Sequence, residues 1–143
     1  MGIDWEALYR TTYPDLVRYL YRKVWDEDRA RDLAQEVFVR ALDHAPDQPR
    51  AWLFTVAANL ARDEARTVLR RRKHLTLIEA AADPVAPVPD PVGTMEADAR
   101  RAVARRALDA LSERAREILL LWDGGLSYGE IAGLLNLSVH TVT

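Results

Sequence analysis

Between Arg50 and Lys73 the chain carries side chains whose types and spacing suit the handling of a nucleic-acid strand. A helix turns by about 100° per residue, so one side would present Trp52, Thr55, Asn59, Arg62, Arg66, Arg70 and Lys73. An indole can stack on an unpaired base, an amide can read a base edge, and arginines can hold phosphates. The spacing therefore predicts a strand-binding face. A solvated basic helix end is the alternative explanation for the cations at the C-terminal end of this helix.

A second motif lies in residues 126–142. Ser127 and Glu130 have the spacing of a capping box, which predicts that a helix begins there. Asn136 is suited to the left-handed turn that ends this helix, and Ser138 can cap a second helix. We expect the apolar positions of both helices to be buried, namely Ile131, Ala132, Leu135, Val139 and Val142.

Two short helices joined by a tight turn predict a helix-turn-helix, whose second helix enters the major groove of DNA. An ordinary helical hairpin is the alternative. A recognition helix needs roughly three turns, and this sequence stops one turn into the second helix. We therefore expect the natural chain to continue beyond Thr143.

A third motif is an amphipathic helix expected from Asp28 to Leu42, with its cap between Asp26 and Asp28. Its apolar positions, all expected in the core, are Ala30, Leu33, Ala34, Val37, Phe38 and Ala41. The opposite face carries Asp32, Gln35, Glu36 and Arg40. From the residues alone, this face is explained as solvated surface with ion pairs between residues four apart.

Composition limits the possible functions. The 143 residues contain no cysteine and carry a net charge of −2, so disulfides are excluded and charge by itself does not predict DNA binding. Residues 1–75 carry a charge of +2 and residues 76–143 a charge of −4. No signal peptide or membrane insertion is expected, and the chain is expected to be cytoplasmic.

We expect no enzymatic activity, no cofactor and no metal site. The three histidines, His44, His74 and His140, fall in different segments, and no nucleophile or paired-carboxylate motif accompanies them.

Proline divides the chain into two parts. Four of the seven prolines lie between Asp83 and Thr94, a composition typical of an extended spacer. We expect an all-α protein of two small helical domains, residues 1–76 and 95–143, joined by a flexible Pro-rich linker over residues 77–94.

Helical patterns fill both domains. The expected helices cover Trp5–Val24 (one helix, or a pair around Pro14), Arg50–His74, Met95–Leu111, and a segment that Ser112 caps and that ends near Gly124. In the first of these helices, Leu8, Leu16, Val17 and Leu20 are core candidates.

In this order, the segments resemble the extracytoplasmic-function (ECF) group of the bacterial sigma-70 family of RNA polymerase sigma factors. Residues 32–42 look like that family's core-polymerase-binding motif, and residues 50–63 are similar to its promoter-melting helix. Residues 107–121, followed by residues 125–132, resemble its C-terminal DNA-binding domain. The resemblance implies a sigma-2-like domain and a sigma-4-like domain, and a promoter-specificity subunit rather than an enzyme.

The resemblance also implies roles for single residues. The set expected to bind the β′ clamp helices of core polymerase is Asp32, Gln35, Glu36 and Arg40. The set expected at the −10 element comprises Asp43, His44 and Asp47 in a specificity loop at residues 43–49, with Trp52, Thr55, Asn59, Arg62, Arg66 and Arg70 on the long helix. The set expected at the −35 element is Ser127, Ser138, Val139, His140 and Thr141. The further expected partners are the β flap of the polymerase, promoter DNA and an anti-sigma factor.

A two-domain transcriptional regulator of the LuxR type is the rival interpretation. It explains residues 126–142, including His140, where ECF sigma factors often have glycine. It leaves the face formed by Trp52, Asn59 and Arg62 unexplained. A sigma factor would co-purify with core polymerase, whereas such a regulator binds duplex DNA alone.

Overall fold

A computed structural model of the chain describes residues 2–79 and 95–143, and within those ranges all regular secondary structure is α-helical. The described helices are α1 (Trp5–Val24), α2 (Glu27–Ala41), α3 (Pro49–Glu79), α4 (Met95–Asp109), α5 (Glu113–Asp123), α6 (Tyr128–Leu135) and α7 (Val139–Val142). The all-α expectation is confirmed. Most of the expected linker, residues 80–94, lies outside the described residues.

Helix α1 runs without interruption through Pro14, so the pattern around that proline belongs to one helix and not to a pair. Proline leaves the carbonyl of Arg10 without its helical partner, and both residues are exposed, so water can satisfy that oxygen. Among the expected core positions, Leu16 and Leu20 are fully buried, while Leu8 and Val17 are half-buried. The helix ends at Trp25 in a left-handed turn, φ 57°.

Helices α2 and α3 pack against α1 to complete the N-terminal half. Asp26 caps α2, and all six apolar positions predicted on this helix are buried. Helix α3 begins at Pro49, a residue favoured in the first turn because no N–H is needed there. It extends to Glu79, five residues past the expected end, and so includes residues 77–79 that we had assigned to the linker.

The C-terminal half contains α4 to α7. The side chains of Ser112, Ser127 and Ser138 cap α5, α6 and α7 as predicted, and the capping box of Ser127 and Glu130 has both of its hydrogen bonds. Asn136 adopts the predicted left-handed conformation, φ 57°. Helix α4 has no buried residue.

The expectation that Val139 is buried is wrong. Helix α7 is a single turn, and only its last residue, Val142, reaches the core. Val139, at the first position, is 49% exposed, on the end of the helix where His140 and Thr141 are also exposed. Of the α6 positions, Ile131 and Ala132 are buried and Leu135 is half-buried.

The two halves share one hydrophobic core. Leu16, Leu20 and Phe54 from the N-terminal half belong to the same buried cluster as Leu121 and Ile131 from the C-terminal half. No helix in the described ranges has the length and apolar character needed to cross a membrane.

Candidate nucleic-acid interface

The polar face of α3 is exposed and chemically available. Asn59, Arg62, Arg66 and Arg70 all lie at the surface. Among the described residues, none of these four side chains has a hydrogen-bond or ion-pair partner. An exposed amide keeps both its donor and its acceptor free. Guanidinium groups without a carboxylate partner can donate hydrogen bonds to a phosphate. The face is therefore competent for the strand binding that the sequence predicts.

The loop between α2 and α3 lies against the N-terminal end of this face. The ring of His44 lies 5.0 Å from the indole of half-buried Trp52, and His44 Nδ1 is 2.8 Å from the carbonyl oxygen of Arg40. The two rings are tilted by 36° to each other, and their contact brings one loop residue onto the helix face, which the sequence did not reveal. Asp43 and Asp47 are exposed in the same loop.

Thr55, also predicted on this face, is less available. Its hydroxyl donates a hydrogen bond to the carbonyl of Ala51 at 3.0 Å, one helical turn earlier. Its side chain is half-buried. The hydroxyl can therefore still accept a hydrogen bond from a ligand, but its donor is already used within the helix.

Ion pairs fix the orientation of α3 in the N-terminal half. Arg29 of α2 donates two hydrogen bonds, each 2.7 Å long, to the carboxylate of Glu64. The hydrogen bond from Arg29 lowers the pKa of Glu64, against the opposing effect of its partial burial, and the same bond raises the pKa of Arg29. Near the start of α3, Arg50 donates to Asp15 at 2.8 Å and to Thr12 at 3.2 Å.

The acidic face of α2 is exposed, as its sequence predicts. Asp32, Gln35, Glu36 and Arg40 all lie at the surface, and Glu36 pairs with Arg40 at 2.9 Å. An apolar strip that the sequence does not predict lies beside them. Val39 and Leu42, 64% and 66% exposed, line a groove of 390 Å³ with Gln35.

The helix-turn-helix places its predicted residues at the start of α7. Val139, His140 and Thr141 are exposed. The hydroxyl of Ser138 accepts from the backbone N–H of Thr141 and lies 2.8 Å from the Thr141 hydroxyl. The hydroxyl of Ser127 accepts from the backbone N–H of Glu130 at 3.1 Å, so its first role is to cap α6.

A cleft of 480 Å³ separates the α3 face from the C-terminal half. Asn59 and Arg62 line one wall, and Glu113, Arg116 and Glu117 of α5 contribute to the other. A second cleft, of 460 Å³, lies between helix α6 and the start of α3 with the loop before it. Trp52 lines the α3 side, and Gly129, Glu130, Gly133 and Leu134 line the α6 side. The C-terminal half therefore lies over the face that the sequence predicts to bind a strand.

Ion pairs beside this cleft join the two halves. No local sequence signal predicts them, because the partners lie about a hundred positions apart. Arg18 and Arg22 bind the Asp123 carboxylate at 3.0 and 2.6 Å. Lys23 binds Glu117 at 2.7 Å, and the Tyr19 hydroxyl donates to the same carboxylate. Arg50 donates to the carbonyl oxygen of Gly124, at the C-terminal end of α5.

The hydroxyl of Tyr19 stays protonated in its contact with Glu117. Burial raises the pKa of Tyr19 well above its usual value of 10.0, and the charge of Glu117 and the hydrogen bond to it raise it further. The phenol therefore stays protonated and remains the donor.

Comparison with known proteins agrees with the architecture. The family model for Sigma-70 region 2 matches residues 8–72, which include α2 and the polar face of α3. The model for Sigma-70, region 4 matches residues 101–143, which include the helix-turn-helix. A regulator of the LuxR type does not account for the first match, so that alternative is not supported.

Curated relatives and solved structures agree with these matches. The ECF RNA polymerase sigma factor SigL of Mycobacterium tuberculosis is 33% identical over 95% of this chain and 81% of its own length. The RNA polymerase sigma factor YlaC of Bacillus subtilis is 28% identical over 96% of this chain and 82% of its own. The structure of CnrH in complex with the cytosolic domain of CnrY matches with a TM-score of 0.67 and 26% identity, over 96% of this chain and 77% of CnrH. Two family models in the expected order, carried by two helical domains, show that this chain belongs to the extracytoplasmic-function group of the sigma-70 family of RNA polymerase sigma factors.

Proposed function

We propose that this sigma factor divides promoter recognition among three surfaces: α2 for core polymerase, the face of α3 with the preceding loop for the −10 element, and the start of α7 for the −35 element. The observation that carries the proposal is the exposed amide of Asn59 in line with three arginines, all without a hydrogen-bond or ion-pair partner among the described residues. A helix face that served only packing or solubility would not need this combination.

At the −10 element, the proposed reader is Asn59. Its amide has a donor and an acceptor and can satisfy both functions of a base edge. Arg62, Arg66 and Arg70 lie beyond it along the helix at intervals of three or four residues and can follow a phosphate backbone without reading its sequence. Trp52 and His44 provide two aromatic rings in contact at the other end, against which an unpaired base can lie.

Reading an unpaired base couples recognition to strand opening. Extruding a base from a duplex costs a few kcal/mol, and a pocket that binds the base offsets part of this cost. Only a sequence whose base fits the loop and the Asn59 amide receives that compensation. The sigma factor thus selects where the strands open, while the polymerase carries out the synthesis of RNA.

Core polymerase is the proposed partner of α2. Asp32, Gln35 and Glu36 offer charge and hydrogen bonds to the β′ clamp helices, and the exposed side chains of Val39 and Leu42 lie beside them. An apolar patch with a polar border is the composition of a protein interface. The C-terminal half is the proposed partner of the β flap.

For the −35 element, the proposed readers are Ser138, Val139, His140 and Thr141. The N-terminal residues of the second helix are the ones that reach base edges in this motif. Ser127 contributes through the cap that fixes α6. The proposed role places the protein in the cytoplasm, as a specificity subunit with no catalytic step of its own, and an anti-sigma factor is a further proposed partner.

The test compares Asn59→Ala with Arg62→Ala in transcription by core polymerase on a library of −10 sequences. Asn59→Ala should lower activity and change which −10 sequences are preferred, because a base reader is lost. Arg62→Ala should lower activity on all promoters alike, and pre-melted templates should partly restore it. Asp63→Ala, an exposed residue beside Arg62 but off the face, is the matched control and should have no effect. An unchanged ranking of −10 sequences with Asn59→Ala would contradict the assignment.

A further inference from the structure

Two of the three α1 cations that bind the C-terminal half share a cleft with the residues proposed to bind the −10 strand. Arg22 and Lys23 line the same 480 Å³ cleft as Asn59 and Arg62. On their own, these four side chains would form one continuous surface of three cations and an amide. In the structure, two carboxylates of the C-terminal half cover part of that surface, since Glu117 binds Lys23 and Asp123 binds Arg22.

Each of these carboxylates contacts the N-terminal half as a phosphate group would. Asp123 accepts from Arg18 and Arg22 with one oxygen, and Glu117 accepts from Lys23 and Tyr19 with its two oxygens. Arginine and lysine bind carboxylates and phosphates through the same charge-assisted hydrogen bonds. A DNA phosphate and these carboxylates are therefore alternative ligands for the same cations.

We propose that Glu117 and Asp123 are an internal mimic of the DNA backbone, and that Arg22 and Lys23 extend the −10 strand-binding surface once the C-terminal half moves away. This inference rests on the proposed −10 role of α3 and adds two cations and an internal competitor to it. The strand and the C-terminal half compete for one surface. The closed form of the protein, in which the C-terminal half covers this surface as in the structure, therefore binds the −10 strand weakly.

Burial protects one of these ion pairs from solvent more than the other. The side chains of Lys23 and Glu117 are 23% and 13% exposed, so salt screens that pair only in part. Arg22 and Asp123, at 35% and 38%, are more accessible, and this pair is the one that a phosphate can reach first. Gly124, beside Asp123, packs against Phe54 so closely that an added Cβ would lie 2.8 Å from the ring.

The central experiment uses the full chain and two double variants that break the same ion pairs from opposite sides. Glu117→Gln with Asp123→Asn removes the mimic and keeps the cations. Arg22→Ala with Lys23→Ala removes the cations and keeps the mimic. Binding is measured with a fluorescent single-stranded −10 oligonucleotide. We expect roughly tenfold tighter binding for the first variant if about a tenth of the wild-type protein is open, and weaker binding than wild type for the second.

A purely structural clasp gives a different result. If Arg22 and Lys23 only held the halves together, their removal would also open the protein, and both double variants would bind the strand more tightly. Tighter binding by Arg22→Ala with Lys23→Ala would therefore overturn the inference. Glu96→Gln with Asp98→Asn, the same charge change on exposed α4, is the control for non-specific attraction and should bind like wild type.

Gly124→Ala opens the interface without changing charge. The backbone there is right-handed helical, φ −72°, so alanine is tolerated, and its methyl group must displace the fully buried ring of Phe54. Gly133→Ala, where an added Cβ meets nothing within 4 Å, is the matched control. We expect tighter strand binding only for Gly124→Ala.

Domain separation is measured independently of binding. The chain has no cysteine, so spin labels at Asp63→Cys and Arg114→Cys report one distance between the halves. The distance should lengthen in the Glu117→Gln/Asp123→Asn and Gly124→Ala variants. No lengthening in either, or lengthening with no gain in strand binding, would overturn the inference. The Asn59→Ala variant then decides whether the proposed function also fails. If this variant still changes the preference for −10 sequences, the proposed function stands. If the preference is unchanged, the proposed function is overturned together with the inference.

Discussion

At the scale of single residues, the pair formed by Glu64 and Arg29 makes folding depend on pH. Arg29 lowers the pKa of Glu64 below its ordinary value of 4.5 in the folded protein. The folded state therefore favours the carboxylate, and this stabilisation is present above pH 4.5 and is lost as the pH falls through the lower, folded pKa. Arg29 is 42% exposed, so we expect a contribution of only about 0.5–1 kcal/mol at pH 7.

Glu64→Gln tests this expectation. The variant should lose that stability at pH 7 and should resemble wild type at pH 3, as measured by urea denaturation at both values. Asp63→Asn neutralises the neighbouring exposed carboxylate and should leave the difference between the two pH values intact. An equal loss of stability for Glu64→Gln at pH 7 and pH 3 would show that the charge of Glu64 is not responsible.

Capping residues are the single positions at which the sequence was most informative. Ser127 and Glu130 exchange hydrogen bonds of 3.1 and 2.9 Å between side chain and backbone. Ser127→Ala should destabilise the C-terminal half by about 1 kcal/mol, measured by thermal unfolding. Ser127→Asp keeps an acceptor at the cap and should recover most of the loss. If Asp were as destabilising as Ala, the hydroxyl would have a role other than capping.

At the scale of helices, the exposed face of α2 leads to a prediction about core polymerase. Reversing Asp32 or Glu36 to Lys places a repulsive charge in the proposed docking surface, and we expect core binding to weaken by at least about tenfold. Circular dichroism should show unchanged helicity, because both side chains are exposed. Glu27→Lys makes the same charge change on the same helix but on a different side, and it should bind core polymerase as wild type does. If Asp32→Lys and Glu36→Lys leave the affinity for core polymerase unchanged, this face of α2 is not the docking surface.

The helices themselves could be predicted from the sequence because their signals are local. Asp26, Ser112 and Ser138 each mark a helix start through a cap within three residues, and the buried face of α2 follows from its periodicity. The predictions failed where local signals end. Nothing in the composition near His74 distinguishes the last turn of α3 from a linker, and Val139 is apolar but lies at the solvent end of a one-turn helix.

At the scale of the whole molecule, the contact between the two halves could not have been predicted. Its partners, such as Lys23 and Glu117, are 94 positions apart, and each has a local role that explains it equally well. Glu117 reads as one more charge on an amphipathic helix. The sequence around Gly124 predicts a helix end, and the structure has one there. The packing of Gly124 against Phe54 depends on the folded arrangement and has no local signal. The polar face of α3 could be predicted, but not what lies over it.

The shared core and the ion pairs predict how the protein behaves when the chain between its halves is cut. With a protease site introduced between Val85 and Val92, the two pieces of the cleaved protein should still elute together at about 0.1 M salt. At about 1 M salt, where the screening length falls to roughly 3 Å, the half-exposed pairs of Asp123 weaken and a larger share of the pieces should separate. Glu117→Gln with Asp123→Asn should separate them already at the lower salt, and the Glu96→Gln/Asp98→Asn control should not. Complete separation of the wild-type pieces at 0.1 M salt would mean that the covalent connection alone keeps the halves together, and that the interface contributes little to the closed form.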